Sequence, residues 1–208
     1  MARAHGSGYG SCFDDQGNNR RVLKRVFDFI AALAGLIVLS PFLAAIALAV
    51  RLDSRGPALH WSSRVGRRNR LFKMPKYRTM RTGAPNVATH LLEDPDAWIT
   101  PLGRFLRRTS LDELPQLWSV LTGQMSLVGP RPALFNQDDL VALRTQAGVD
   151  ALRPGVTGWA QINGRDDLPI TEKAKLDADY LANQSLMLDI QIILRTTATA
   201  FSGRGVQH

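Results

Sequence analysis

The stretch that decides how this chain is built is residues 26–50, which read VFDFIAALAGLIVLSPFLAAIALAV. Asp28 is its one charged residue. About 20 apolar residues suffice to cross a bilayer, so the stretch predicts a membrane segment. It starts too late and is too long for a secretory signal, and no convincing cleavage site follows it. We therefore expect it to be retained in the mature protein.

The Ser40-Pro41 pair near the middle of this stretch argues against a straight span. Proline removes the hydrogen bond to the carbonyl of Ile37 and disfavours helical geometry at Ser40. Such a break is tolerable in lipid only where another donor, such as the Ser40 hydroxyl, satisfies the freed carbonyl. The pair predicts a helix-break-helix arrangement.

Both flanks of the apolar stretch are basic, and short positive flanks prefer the cytoplasmic side of a membrane. A re-entrant hairpin, entering and leaving the same leaflet, satisfies both flanks, and a single-pass anchor with a proline kink is the alternative. Asp28, close to the first flank, is expected near the headgroups because a charge at the bilayer centre is costly. The flanking cations are Arg20, Arg21, Lys24, Arg25, Arg51 and Arg55.

The chain as a whole has the composition of a packed protein. It has 208 residues, of which 45% are hydrophobic and 21% charged, and this excludes a disordered or low-complexity chain. The single cysteine, Cys12, excludes an internal disulfide and a cysteine-based zinc site, and it indicates a reducing compartment. We predict a mobile tail at 1–19, the membrane hairpin at 20–55 and a compact cytoplasmic domain at 56–208.

Few segments alternate like long strands, so the predicted class is α+β, mostly helical with a small sheet. RGPALHW (55–61) and RLFKM (70–74) each suggest a short strand, and helices are predicted at 111–121, 137–145, 171–183 and 188–201. One face of the last helix is apolar, which is typical of core packing but also of an interfacial amphipathic helix. That face carries Leu186, Ile190, Ile193, Leu194, Thr197 and Phe201.

Positive charge is concentrated in the first half of the chain. The formal net charge is +8, and residues 20–108 carry 17 Lys and Arg against 5 acids. Such a balance suits nucleic acid, an anionic membrane surface or a phosphorylated substrate, and composition does not choose among them.

The segment TSLDELPQL places Asp112 and Glu113 side by side at a predicted helix start. Ser110 with Glu113 fits a capping box, so a purely structural role is one interpretation. The other is chemical: carboxylates kept ionised by nearby arginines can ligate Mg²⁺ or attack phosphorus. Spacing alone leaves both open.

Several basic residues are interleaved with Gly and Pro instead of filling a solvated helix face, which leaves a phosphate-binding role open beside a plain surface one. In GPRP two prolines hold Arg131 in a rigid turn, and a fixed guanidinium suits bidentate phosphate recognition. LRPGVTGWAQINGR likewise sets Arg153 and Arg165 among glycines. The basic residues are Lys73, Lys76, Arg78, Arg81, Arg107, Arg108 and Arg131. His60 and His90 are isolated, and neither a metal-ligand spacing nor a Walker or dinucleotide glycine motif occurs.

Five segments together resemble the bacterial sugar transferase family, the small monotopic phosphoglycosyl transferases, in consistent order over residues 21–206. They are KRVFDFIAALAGLIVLSP, RVGR, KYRTM, TPLGRFLRRTSLDELPQLWSVLTGQMSLVGPRP and RPGVTGWAQINGR. In one place the chain departs from the pattern: many relatives have Gln-Glu where this chain has Ser62-Ser63. A site role is therefore not carried over to those two positions.

The resemblance implies an enzyme of the bacterial inner membrane, with its catalytic domain on the cytoplasmic face. Such an enzyme moves a sugar 1-phosphate from a UDP-sugar to polyprenol (undecaprenyl) phosphate, releases UMP and starts glycan assembly, as for O-antigen, capsule or glycoprotein. It also implies an aspartyl-phosphosugar intermediate with Asp112 as nucleophile, and Mg²⁺ held by Glu113. The Ser-Pro break maps to Ser40 and Pro41. The phosphate-binding cations implied are Lys76, Arg78, Arg107, Arg131 and Arg153.

Two other classes compete with this interpretation. The basic first half would fit a membrane-tethered nucleic-acid binder, although the aromatic platforms that such proteins use are sparse here. The hairpin alone would fit a structural anchor or scaffold subunit. We predict UDP-sugar, polyprenol phosphate and membrane lipids as partners and no nucleic acid, while the sugar, the glycan and the oligomeric state stay open.

Overall fold

The computed structural model describes residues 12–84, 94–164 and 168–202. The elements follow one another as one long helix, a hairpin, a run of short helices with two short strands, and two closing helices. They are α1 (Cys12–Asp53), β1 (Leu59–Val65), β2 (Leu71–Tyr77), α2 (Pro95–Trp98), α3 (Pro101–Arg108), α4 (Gln116–Leu121), β3 (Ser126–Val128), α5 (Asp138–Gln146), β4 (Gly155–Thr157), α6 (Trp159–Ile162), α7 (Ile170–Asn183) and α8 (Leu186–Ser202). Short 3-10 turns lie at Arg67–Asn69, Leu111–Glu113 and Val149–Ala151.

The apolar stretch lies within α1, which presents a narrow buried stripe to the rest of the protein. Asp28, Ala32, Ile46 and Val50 are buried, at spacings that return to one helix face. Most of the remaining surface of the stretch is apolar and exposed, including Val38 at 76% exposure. A helix of this length and hydropathy is able to cross a membrane. Burial in lipid is the plain way to remove so much apolar surface from water.

The predicted break at Ser40-Pro41 does not interrupt the helical assignment. α1 runs through Pro41 as one helix, which differs from the two separate helices that we predicted. The Ser40 hydroxyl donates to the carbonyl of Ile37 at 2.8 Å. This is the compensation that the sequence called for, and it removes the main cost of a proline inside a helix. α1 also includes residues 12–19 of the predicted tail; residues 1–11 lie outside the described part.

Two small sheets flank the short helices. β1 and β2 pair antiparallel from Leu59 opposite Tyr77 to Val65 opposite Leu71, which confirms the two predicted strands. β3 and β4 pair in parallel, with Ser126 opposite Gly155 and Val128 opposite Thr157. The sequence did not predict this second pair, because three-residue strands are too short to show a period.

The four predicted helices are confirmed, with shifted ends. The first is a 3-10 turn followed by α4, and the others are α5, α7 and α8. On α8 the predicted apolar stripe divides: Ile193 packs in the core beside the buried Ile192, whereas Ile190 and Leu194 are exposed. The prediction that the stripe packs in the core is therefore confirmed only in part. The face of α8 that is buried lies next to the predicted stripe and overlaps it only partly.

The buried acid Asp28 links α1 to the rest of the protein. Asp28 accepts hydrogen bonds from the Ser126 hydroxyl at 2.7 Å and from the Leu127 backbone amide at 3.1 Å. Asp28 is only 2% exposed and joins α1 to β3, so its carboxylate is surrounded by protein; its expected depth near the headgroups stays a prediction. A buried carboxylate must find such donors, and they come from residues almost 100 positions away. The N-terminal part of the apolar stretch is thus attached to the domain.

Candidate active site

The acidic pair lies on a tight turn between α3 and α4. Ser110 has φ of 56°, in the left-handed region that non-glycine residues rarely adopt, and the 3-10 turn Leu111–Glu113 follows it. Leu111 and Leu114, on either side of the pair, pack against the cluster that includes Val50 of α1. The apolar neighbours therefore hold the two carboxylates beside α1.

Glu113 is held by two cations that come from different parts of the chain. Its Oε1 accepts from Lys76 Nζ at 2.7 Å and from Arg131 Nη2 at 3.1 Å. Burial raises the pKa of Glu113, but the charges of Arg131 and Lys76 and their hydrogen bonds outweigh it and bring the pKa well below its usual range. Glu113 is therefore ionised at neutral pH.

Asp112 has the opposite environment. Its side chain is buried at 8% exposure, and its carboxylate makes no hydrogen bond or ion pair with any residue in the described ranges. Burial raises the pKa of Asp112 to about 6; the charge of Lys76 opposes the rise and that of Glu113 adds to it. The pair thus combines a fixed, paired carboxylate with an unpartnered one that is ionised above about pH 6.

This geometry answers the capping alternative. The Ser110 side chain makes no capping hydrogen bond, and the Glu113 carboxylate bonds to Lys76 and Arg131 instead of reaching back to the start of the turn. A capping box needs both of those contacts. The capping interpretation is therefore wrong, and the pair belongs to a cluster of charged side chains.

The structure brings together three of the five predicted phosphate-binding cations. Lys76 and Arg131 contact Glu113, and Arg107, whose Nε donates to the Thr79 hydroxyl at 2.8 Å, lies close enough to Asp112 for their charges to interact. Burial lowers the pKa of Arg107, and the charge of Asp112 opposes this shift without cancelling it.

The other two predicted cations lie elsewhere and have backbone partners. The buried Arg78 guanidinium donates to the carbonyls of Val50, Ser54 and Arg55 at the end of α1. Arg153 Nε donates to the Gly123 carbonyl at 2.9 Å, beyond the far end of α4 from the acidic pair. Motif spacing does not predict where Arg78 and Arg153 lie. Their contacts depend on which helix ends are packed next to them in the folded protein.

His60 is a neighbour of the site that the sequence did not single out. It lies directly opposite Lys76 in the β1–β2 hairpin, so the two side chains share one face of the sheet. Burial lowers the pKa of His60, and the charge of Lys76 lowers it further. Only the register of the β1–β2 hairpin could have shown that His60 lies opposite Lys76. That register can be predicted only if the position of the turn is known.

The residues present fit a magnesium ion. No three potential ligands from His, Cys, Asp and Glu come together within the described residues. Mg²⁺, however, is commonly bound by one or two carboxylates together with substrate phosphates. The unpartnered carboxylate of Asp112 and the second oxygen of Glu113, to which no described residue donates, supply that donor set.

Comparison with known proteins decides the family. The model of the family described as "Bacterial sugar transferase" matches residues 19–203. The chain belongs to the bacterial sugar transferase family. This confirms the resemblance and shows that the protein is a transferase enzyme, which disfavours the scaffold and nucleic-acid interpretations.

Two of three similar relatives of this sugar transferase are named as transferases of undecaprenyl phosphate, and the third is named for exopolysaccharide production. It is 42% identical over 194 residues to the undecaprenyl-phosphate glucose phosphotransferase of Komagataeibacter xylinus, covering 83% of the chain and 35% of that protein. It is 40% identical over 200 residues to the exopolysaccharide production protein PSS of Rhizobium leguminosarum bv. phaseoli, covering 88% of the chain and 98% of that protein. It is 39% identical over 188 residues to the UDP-glucose:undecaprenyl-phosphate glucose-1-phosphate transferase of Escherichia coli (strain K12), covering 87% of the chain and 40% of that protein. The sugar transferase thus spans about a third to two fifths of two of these relatives and nearly all of the third.

Proposed function

We propose that this sugar transferase moves a sugar 1-phosphate from a UDP-sugar to polyprenol phosphate and releases UMP. The observation that carries the proposal is the pair of Asp112, unpartnered, and Glu113, clamped by Lys76 and Arg131, beside an apolar helix. The names of the relatives support the lipid acceptor and the nucleotide-sugar donor. The name of the Rhizobium relative supports a role in exopolysaccharide production, and we propose that the transfer is the step that starts glycan assembly.

Asp112 is the nucleophile in the reaction that we propose. One of its oxygens forms a bond to the β-phosphorus of the UDP-sugar, the bond from that phosphorus to the bridging oxygen breaks, and UMP leaves with the electron pair. An aspartyl phosphosugar remains. An oxygen of the polyprenol phosphate then attacks the same phosphorus and frees the carboxylate. A carboxylate with no hydrogen bond of its own is free to make the first attack.

The cations of the site bind and orient the diphosphate. Lys76 and Arg131 are already held in place by Glu113, so both positive charges are positioned before substrate arrives. Arg107 supplies a further positive charge next to Asp112. Glu113 would hold Mg²⁺ through its second oxygen, to which no described residue donates. When bound, the ion neutralises charge on the diphosphate and polarises the phosphorus–oxygen bond.

We also propose that α1 is a re-entrant membrane element of the inner membrane, with the catalytic domain on the cytoplasmic face. Both ends of the helix contact the same domain: Arg25 donates to the carbonyls of Val120 and Leu121, and Arg78 donates to the carbonyl of Val50. A span with its ends on opposite sides of a bilayer could not keep both contacts. An anchor that dips into one leaflet holds the acidic pair where a soluble nucleotide and a lipid phosphate both reach it.

This topology is tested by labelling single cysteines with a membrane-impermeant maleimide in a Cys12→Ser background. We expect Arg20→Cys and Asp53→Cys, at the two ends of the apolar stretch, to react in inverted membrane vesicles and not in intact spheroplasts. Lys175→Cys, on the exposed surface of α7, is the cytoplasmic marker. Labelling of Arg20→Cys in intact spheroplasts would show that the helix spans the membrane.

The transfer reaction is tested by measuring UMP release by the full chain with undecaprenyl phosphate, Mg²⁺ and a panel of UDP-sugars. We expect sustained release with at least one sugar only when all components are present. Without undecaprenyl phosphate, a covalent intermediate predicts a burst of no more than about one UMP per protein molecule. Release of UMP with no dependence on the lipid phosphate would contradict the proposal.

A further inference from the structure

Two arginines contact the C-terminal end of α4, on the far side of that helix from the acidic pair, and a third lies close enough for its charge to act on one of them. Arg25 donates from Nη1 to the Val120 carbonyl at 2.6 Å and from Nη2 to the Leu121 carbonyl at 2.9 Å. Arg153 donates from Nε to the Gly123 carbonyl at 2.9 Å. Arg67 donates from Nε to the Ala151 carbonyl at 2.8 Å, two residues before Arg153. We call Arg25, Arg67 and Arg153 the arginine cluster.

Gly123 shows how closely two of these side chains approach. Its φ is 86°, and a Cβ at this position would lie 3.1 Å from Arg25 Nη2. The carbonyl of the same glycine accepts the bond from Arg153. Both guanidinium groups therefore approach the same small residue.

The cluster has no acidic partner. The hydrogen bonds of all three guanidinium groups go to backbone carbonyls, and no residue in the described ranges forms an ion pair with them. Asp28 is the one acid whose charge acts on Arg153, but its oxygens already accept from Ser126 and Leu127. Burial and then the charges of Arg25 and Arg67 lower the pKa of Arg153. Like charges held together at a cost are typical of a site that takes an anion.

The position of the cluster indicates which anion it meets. Arg25 directly precedes the apolar stretch, and the next turn of α1 exposes Val26, Phe29 and Ile30. Where these side chains enter lipid, Arg25 lies at headgroup depth. Arg67 and Arg153 leave their terminal nitrogens without a bond to any described residue, and such nitrogens suit the oxygens of a phosphate group.

We propose that the arginine cluster is a second anion site, separate from the acidic pair, that binds the phosphate group of a membrane lipid. The site would fasten the N-terminal end of α1 to the headgroup layer. Its existence does not depend on the transfer reaction; only the choice of a lipid as the source of the phosphate rests on the proposed membrane placement. A soluble phosphate is the other source of the same chemistry.

The test uses the full chain in dodecyl maltoside micelles, which contain no phosphate, and follows thermal unfolding as dioleoyl phosphatidic acid is added. A ligand that binds the folded protein raises Tm. We expect wild type and Arg68→Gln to be stabilised alike, whereas Arg67→Gln needs about tenfold more lipid for the same shift. Arg68 is the matched control, since it follows Arg67 on the same turn and is exposed. Arg67→Lys should fall between, because it keeps the charge and loses the planar donor pair.

Two further arms separate the sources of the phosphate and the two proposals. Dioleoylglycerol, which lacks the phosphate, should give no shift, and inorganic phosphate at the same concentration should give none. Equal responses of Arg67→Gln and Arg68→Gln would overturn the anion site. An equal response of wild type to inorganic phosphate would overturn the lipid assignment. Asp112→Asn protein should respond to phosphatidic acid like wild type. Loss of the transfer reaction and loss of lipid binding can therefore be distinguished.

Discussion

Asp112→Asn is expected to reduce UMP release by at least about 10³-fold, because it removes the oxygen that would form the bond to phosphorus while keeping the shape of the side chain. The variant should also give no burst of UMP and no sugar phosphate trapped on the protein. Glu113, Lys76 and Arg131 keep their mutual contacts in this variant, so substrate binding should change little. Turnover near the wild-type rate would reject Asp112 as the nucleophile.

The same substitution should leave the protein folded, and more stable than wild type. The buried Asp112 carboxylate has no hydrogen-bond partner among the described residues, and burial raises its pKa to about 6. A raised pKa means that the contribution of the group to stability is present below about pH 4 and is lost as pH rises through about 6. Without Mg²⁺, Asn at this position should therefore raise the free energy of unfolding by roughly 2–3 kcal/mol above pH 6 and by little near pH 4.

The matched control for both measurements is Asp139→Asn, which changes an exposed acid on α5. It should alter neither UMP release nor Tm beyond experimental error. A drop in Tm for Asp112→Asn would mean that its loss of activity reports damaged folding and not lost chemistry.

Asp177→Ala is expected to cost about 3–5 kcal/mol of stability, because it leaves the charge of Arg144 buried without a partner. Arg144 donates to Asp177 Oδ2 from Nε at 2.9 Å and from Nη2 at 2.6 Å, and Asp177 is 1% exposed. For a protein of this length such a loss lowers Tm by about 10 °C. Asp179→Ala, on an exposed position of the same helix, is the control and should change Tm by no more than a degree or two.

This pair also connects stability to the site. A further nitrogen of Arg144 donates to the carbonyl of Arg131 at 2.9 Å, and Arg131 contacts Glu113. Loss of Asp177 should therefore loosen the turn that presents Arg131 and raise the KM for the UDP-sugar more than it lowers kcat in the protein that remains folded.

The double variant Arg144→Met with Asp177→Leu separates the two parts of this prediction. Burial raises the pKa of Asp177 in spite of the opposing charge of Arg144, which shows that removing the pair from water is costly. An apolar pair should thus recover much of the lost stability, while the Arg131 turn stays without its donor. A double variant as unstable as the single one would contradict this account.

Motifs predicted candidate site residues where the chain itself carries the geometry. Asp112 and Glu113 are adjacent in sequence, and two prolines hold Arg131 in a turn. The structure places Arg131 on Glu113, while the roles of these residues in the reaction stay predictions. Arg78 and Arg153 come from equally distinctive motifs, and the structure places them at the ends of α1 and α4. A motif shows that an arginine occurs at a given position. It does not show which helix end will lie against that arginine in the folded protein.

The sequence by itself determined that residues 26–50 are apolar and helical on both sides of Pro41, that Ser40 compensates Pro41, and that the acidic pair lies at the start of a helix. Each of these follows from interactions between residues a few positions apart, which are set by local backbone geometry. Tertiary structure alone decided that Asp28 is buried on Ser126, that Lys76 and Arg131 converge on Glu113, and that Arg25 and Arg153 both approach Gly123. Those contacts join residues 18 to 128 positions apart, and only the packing of α1 and the hairpin around α4 brings them within hydrogen-bond distance or lets their charges act on one another.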